Sequence, residues 1–237
     1  MKESIKKYPL GWVPESTFGN WFLNSDIWVF HVLKLSLNSL EELIINKKQS
    51  YPVILDVGCG FGHSLLELDK RFSPKKIIAL DVDDKAGERI QKHIDICQSS
   101  IELKVNNASK IDLPDQSVDM VFCHQTFHHI IDQESAIKEF YRVLKPGGVL
   151  LFAESCRKYI HSLVIKTLFR HPMDVQKTDK EYLALVESTG FVCEPKSVSR
   201  PFLWWSRWDL GILETLGVKP KVNKEETLLY LAAYRLK

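Results

Sequence analysis

The chain has 237 residues, a mass of 27.4 kDa and a formal net charge of +2. Its 45% hydrophobic and 26% charged residues are ordinary globular values and exclude wholesale disorder. The near-neutral charge removes a strong electrostatic case for nucleic acid. The length fits one large domain, or one with an extension.

Five cysteines, Cys59, Cys97, Cys123, Cys156 and Cys193, are scattered and form no C-x-x-C pair. That pattern argues for a reducing compartment and against both a disulfide framework and a zinc site. The first residues are basic but lack an apolar stretch of signal-peptide length. The longest apolar run, residues 27–33, is interrupted by His31 and falls far short of a membrane span. A soluble, cytoplasmic protein is the expectation.

In chain order, residues 1–50 are aromatic-rich and then helical. Apolar residues at helical spacing predict a helix over 26–45, with Asp26 as its N-cap. Residues 53–57 read as a buried strand and 62–72 as a helix. A strand over 76–82 and a helix over 84–96 follow. Strands over 101–105 and 118–124 come next, then a helix over 135–144. Lys145-Pro146-Gly147-Gly148 stops that helix, and 148–153 is a fifth strand. Continuous apolar strands alternating with helices predict an α/β fold whose parallel sheet is covered on both faces. After a helix over 180–188, residues 191–203 and 227–236 read as two more strands that pair antiparallel at the sheet edge. Their long connection, 204–226, begins with Trp204, Trp205 and Trp208.

Chemistry concentrates in Leu55-Asp56-Val57-Gly58-Cys59-Gly60-Phe61-Gly62. A strand here runs into a glycine turn that opens a helix, where unpaired N–H groups favour an anionic ligand. In an open parallel sheet this is where ligands sit. Asp81 closes the second strand, suited to a ribose diol, and Asn106-Asn107-Ala108 closes the third, where a base edge is read. The spacing is G-x-G-x-G, not the dinucleotide G-x-G-x-x-G. Asp56 is able to pair with a ligand ammonium group, for which NAD has no counterpart. NAD and S-adenosylmethionine are the two ligands weighed.

With Ala79-Leu80-Asp81-Val82, Asp112-Leu113-Pro114-Asp115-Gln116-Ser117-Val118-Asp119, Phe127-His128-His129-Ile130 and the run from Glu139 to Gly148, the chain resembles the class I S-adenosylmethionine-dependent methyltransferases, in particular their small-molecule type 11 group. The resemblance covers about residues 52–155. It implies a Rossmann-like, doubly wound seven-stranded sheet of order 3-2-1-4-5-7-6 with strand 7 antiparallel. It implies S-adenosylmethionine as cofactor and S-adenosylhomocysteine as product. Asp56, Gly58, Cys59 and Gly60 would hold the methionine moiety. Asp81 would bind the ribose and Val82 would pack on the adenine. Asn107 and Ala108 would read the adenine edge, the family more often having Asp at the first of these. His124 and Gln125 would lie near the sulfonium.

Methyl transfer needs orientation and water exclusion more than a nucleophile. Histidine is a suitable general base near neutral pH, so His128 and His124 are the candidate base or substrate contacts. No metal is assigned: Glu154 and Asp132 are the nearest carboxylate candidates, but no spacing demands an ion. Glu154 either faces the substrate or is hydrogen-bonded within its loop. His161 and His171 are expected on the solvated surface of an insertion. Residues 1–50 are read as a cap, with Trp21 and Phe22 as lid candidates. Residues 51–237 form the methyltransferase domain, with substrate-side insertions at about 157–178 and 204–226. The expected partner is a small-molecule acceptor; nucleic acid is disfavoured, no membrane span is expected and homo-oligomerisation is left open. The competing readings are a nucleoside-binding module without turnover and an NAD-dependent enzyme.

Overall fold

The computed structural model describes residues 11–207, 210–218 and 227–236. Trp208, expected at the start of the 204–226 connection, lies outside the described residues. Among the described residues eight strands form a single sheet: β1 (Val53–Val57), β2 (Lys76–Asp81), β3 (Ser100–Val105), β4 (Val118–His124), β5 (Leu144–Ser155), β6 (Phe191–Val192), β7 (Val198–Ser199) and β8 (Leu228–Arg235). Their order is β3-β2-β1-β4-β5-β8-β6, with β7 also bonded to β8. Strands β1 to β5 are mutually parallel. β8 runs antiparallel to β5, β6 and β7.

One strand is predicted over 191–203. The structure gives two short pieces, β6 and β7, separated by a 3-10 turn at Pro195–Ser197. Proline has no N–H to give a ladder and favours such a turn. Counted as one broken strand, the pieces complete the seven-strand order 3-2-1-4-5-7-6. β5 also begins earlier than the sequence suggests. Val118 pairs with Leu144, the register shifts, and Met120 pairs with Val149. Lys145 to Gly148 thus form an irregularity within the strand rather than a turn before it.

Strand alternation divides the core between two layers. Leu55, Val57, Val121 and Phe152 face one side, under helices α5 (Gln133–Val143) and α8 (Asp179–Ser188). Ile54, Ala79, Phe122 and Leu151 face the other, under α3 (His63–Phe72), α4 (Ala86–Ile94) and α2. Helix α2 is composite: Asp26–Trp28, a π-helical turn at Val29–Leu33, then Lys34–Leu43. Its N-cap is Ser25, whose hydroxyl accepts from the Trp28 amide at 3.3 Å, not Asp26. Asp26 instead opens the first turn, where a negative charge suits the helix dipole. Trp205 donates its indole N–H to the His31 carbonyl inside the π turn, at 3.0 Å. Ser36 hydrogen-bonds the Tyr230 hydroxyl at 2.6 Å, tying α2 to β8.

Three short helices were not legible in the sequence: α1 (Thr17–Leu23), α6 (Arg157–Ile160) and α7 (Leu163–Leu168). α1 and α7 are fastened together. The Ser16 hydroxyl donates to the Leu168 carbonyl at 2.5 Å, and the Arg170 amide donates to Glu15 at 2.8 Å. The Phe169 ring sits edge-on to both Phe18 and Phe22. The connection after β7 contains α9 (Ile212–Thr215). Trp205 is buried and packs on Tyr159, whereas Trp204 is partly exposed and meets His31.

Candidate active site

β1 delivers Asp56 and Val57 to the sheet's C-terminal edge, and the chain then turns through Gly58 to Gly62. Gly58 has φ +74°, and a Cβ there would lie 2.3 Å from the Thr126 side chain. Only glycine allows both that backbone conformation and that approach. The Gly58 and Cys59 amides donate to the Leu80 carbonyl at 2.7 and 3.2 Å. The Gly60 amide donates to Asp81 Oδ2 at 2.9 Å. Asp81 also accepts from the Asp83 amide at 3.0 Å, so the ends of β1 and β2 are held in one frame.

A cavity of about 470 Å³ opens over this frame, within the range of small-molecule sites. The strand ends contribute Gly58, Gly60, Asp81, Val82, Asn107 and Ala108, and Gln125 lines it from the loop after β4. The sequence reading placed all seven at the cofactor. Asn107 Oδ1 accepts from the Ser109 amide at 2.8 Å, and its Nδ2 lies against Gly11.

A smaller annex of about 80 Å³ shares Gly58 and Gly60 with the main cavity and is lined by Asp56, Cys59 and His124, with Trp28 and His63. These complete the expected cofactor set. Asp56 is buried and accepts from the Ser64 hydroxyl at 2.5 Å. Burial, and secondarily the nearby Asp81 charge, push its carboxyl up to about 7 despite that hydrogen bond. Burial, with a smaller contribution from His128, pushes His124 down to about 3, so it stands neutral. Its ring packs edge-on to Trp28 and stacks on Phe122.

His128 is buried behind the cavity wall. Its Nδ1 lies 2.6 Å from Glu154 Oε2, and it does not line either space. Its neighbour His129 lines the main cavity instead. Glu154 is fully buried, and its other oxygen accepts from the Thr126 and Phe127 amides at 2.9 and 2.7 Å. Of the two roles considered for Glu154, the loop hydrogen bond is the one present. His171, expected in solvent, instead stacks on His129 and packs against His128. The insertion folds back here because Gln176 donates to the His128 carbonyl at 2.8 Å.

The sequence reading gives the N-terminal segment the part of a cap but names Trp21 and Phe22, and neither lines the cavity. Gly11 to Glu15, Asn20 and Leu23 line it. Trp21 points largely to solvent, while Phe22 packs with Phe18 and Phe169. Phe61 and Arg89 also line it, the guanidinium 5.3 Å over the ring and paired to Asp83 at 2.8 Å. No periodicity marks residues 11–15, so only the fold brings them to the site.

Comparisons with known proteins agree with this geometry. A family model described as a methyltransferase domain matches residues 55–152. Malonyl-[acyl-carrier protein] O-methyltransferase of Yersinia pestis is 36% identical over 101 residues, 43% of this chain and 36% of that protein. Demethylmenaquinone methyltransferase of Listeria welshimeri is 30% identical over 160 residues, 63% of this chain and 67% of that protein. The chain spans only 21% to 36% of the length of several other curated relatives. Among solved structures, the plantazolicin methyltransferase BamL, in complex with a desmethyl analogue and SAH, superposes with a TM-score of 0.66. It covers 93% of this chain and 90% of its own at 15% identity, which speaks for the fold. With the sheet order, the glycine turn and the relatives in agreement, the chain belongs to the class I S-adenosylmethionine-dependent methyltransferases.

Proposed function

We propose that the protein transfers a methyl group from S-adenosylmethionine to a small-molecule acceptor. The observation that carries this reading is the cavity itself, where the ends of four adjacent parallel strands meet the glycine turn. The residues fit the cofactor. A Cβ on Gly60 would meet nothing nearer than the Gly58 carbonyl oxygen, at 3.9 Å, so the bare turn leaves room for a ligand. When bound, the cofactor supplies an electrophilic methyl group on a sulfonium.

In this reading Asp81 accepts from the ribose hydroxyls, and Val82 packs on the adenine, whose edge meets Asn107 and Ala108. Asp56, in the annex beyond Gly58, faces the methionine ammonium, and Cys59, His124 and Gln125 wall that end. A neutral imidazole as weak as His124 makes a poor general base, which favours a wall over a base. Residues 11–23 act as the cap that excludes water. The BamL complex with SAH supports the same cofactor, and the protein-level names of the relatives support methyl transfer.

The test is calorimetric titration with S-adenosylhomocysteine, with NAD as control, followed by labelled methyl transfer into a metabolite extract. Micromolar, one-to-one binding of the nucleoside and label transfer are expected. Binding of NAD alone would overturn the cofactor. Tight nucleoside binding without any transfer would leave a binding module and overturn the enzyme.

A further inference from the structure

Beside the cofactor cavity lies a cluster that the proposed methyl transfer does not use. It is built from His128 and His129, in the loop after β4, and His171, after α7. The ring centroids are 4.3 Å apart for His128 and His129, 5.1 Å for His128 and His171, and 4.7 Å for His129 and His171. One ring nitrogen from each lies within 4.8 Å of those of the other two. Around a tetrahedral zinc ion with bonds of about 2.0–2.1 Å, imidazole nitrogens stand roughly 3.4 Å apart. Side-chain rotations that move each ring by about an ångström close that difference, within the reach of ordinary rotamer wells.

Two further observations point to a ligand. The first is Glu154, which holds His128 by Nδ1 and is itself fixed by two backbone amides. A carboxylate on the remote nitrogen of an imidazole sets its tautomer and aims Nε2, as in metal sites. The second is His171 Nδ1, which is buried and has no hydrogen-bond partner. Burying an unpaired ring nitrogen is costly, and ring stacking alone does not relieve that cost. A bound cation does.

We propose that His128, His129 and His171 form a three-imidazole site for a divalent transition-metal ion of the zinc class, with Glu154 as its positioning residue. Three nitrogen donors with no thiolate or carboxylate suit Zn²⁺, and a tetrahedral ion keeps its fourth position for another ligand. Because His129 lines the cavity, the ion stands at the edge of the pocket. The sequence signal was half present: His128 and His129 are adjacent, but the third imidazole comes from the insertion, and Glu154 serves the histidine rather than the metal.

The experiment uses the full chain, stripped with chelator and free of nucleoside, so that its outcome is independent of the methyltransferase reading. Zn²⁺ is titrated against a chromophoric chelator, and Co²⁺ is added separately to read the visible bands of a tetrahedral site. One equivalent per chain and intense cobalt bands are expected. His171→Gln should weaken zinc about a hundredfold or more, and Glu154→Gln about 10–100-fold with unchanged stoichiometry. His161→Ala, on an exposed histidine of the same insertion, should leave affinity unchanged. Circular dichroism and thermal unfolding check the fold of each variant, and if His171→Gln does not fold, His129→Gln takes its place. Absence of zinc binding or of tetrahedral cobalt bands in the natural chain would overturn the site. So would equal affinity in His171→Gln and His161→Ala.

Discussion

Asp81 and Asp56 sit on neighbouring strands, yet their surroundings give them different work. Asp81 is anchored by two amides while still lining the open cavity. Asp81→Ala should lower affinity for S-adenosylhomocysteine by at least about tenfold, the worth of a charge-assisted hydrogen bond or two. Its thermal midpoint should also fall, because the Gly60 and Asp83 amides lose their acceptor, and calorimetry with differential scanning reads the two effects separately. Asp56 is buried and titrates near 7, well above an unfolded aspartate at about 3.9. The folded chain therefore holds that proton more tightly between about pH 4 and 7, and this group's contribution to stability declines as the pH rises through that window. If Asp56 holds the methionine ammonium as proposed, cofactor binding runs the other way, since only its carboxylate would form that pair. Affinity for S-adenosylhomocysteine should fall about tenfold per unit as the pH drops below 7. In Asp56→Asn the profile should be flat, and a slope surviving that change would assign it elsewhere.

At the scale of elements, the strands that build the site were legible because each is a continuous apolar run between turn residues. β1 and β4 match their predicted bounds, and β2 matches to within a residue. The glycine turn was legible for a different reason: Gly58's positive φ beside Thr126 calls for a residue without a side chain. The cap was not. Residues 11–15 carry no period, and α1 and α7 are too short to show one; their positions depend on contacts with each other. Those contacts lead to a prediction. Phe169 holds α7 against Phe18 and Phe22 of α1, and α1 contributes Asn20 and Leu23 to the cavity. Phe169→Ala should raise the dissociation rate of S-adenosylhomocysteine several-fold in stopped-flow measurements, because a loosened cap speeds release. Affinity set by the strand ends should persist, so an unchanged rate would remove α1 from the gate. His171 was misplaced for a related reason. Its proximity to His128 follows from the path of the insertion, which local sequence does not encode.

For the whole molecule, the sheet separates two cores that draw on the same strands but on different side chains. Phe140 of α5 is fully buried against Phe127, on the layer opposite α2 and α3. Phe140→Ala should cost about 3–5 kcal/mol. In a chain of this size that lowers the melting temperature by roughly 6–20 °C, read by calorimetry. The cost should be additive with Leu37→Ala on the other layer, since distant sites with no shared partner combine independently. A large coupling between them would mean that the sheet transmits strain across its thickness.

The placement of β8 has a consequence for how the chain is made. During synthesis β8 follows the other described strands, yet it lies inside the sheet, between β5 on one side and β6 and β7 on the other. Val149 must therefore wait for Tyr234. Until then the nascent chain carries β5 with one side unpaired, an exposed template for other chains. A ribosome that pauses after α8 would hold a protein whose cofactor frame is already complete but whose sheet is open. Such a chain keeps that edge open to aggregation until β8 latches it shut.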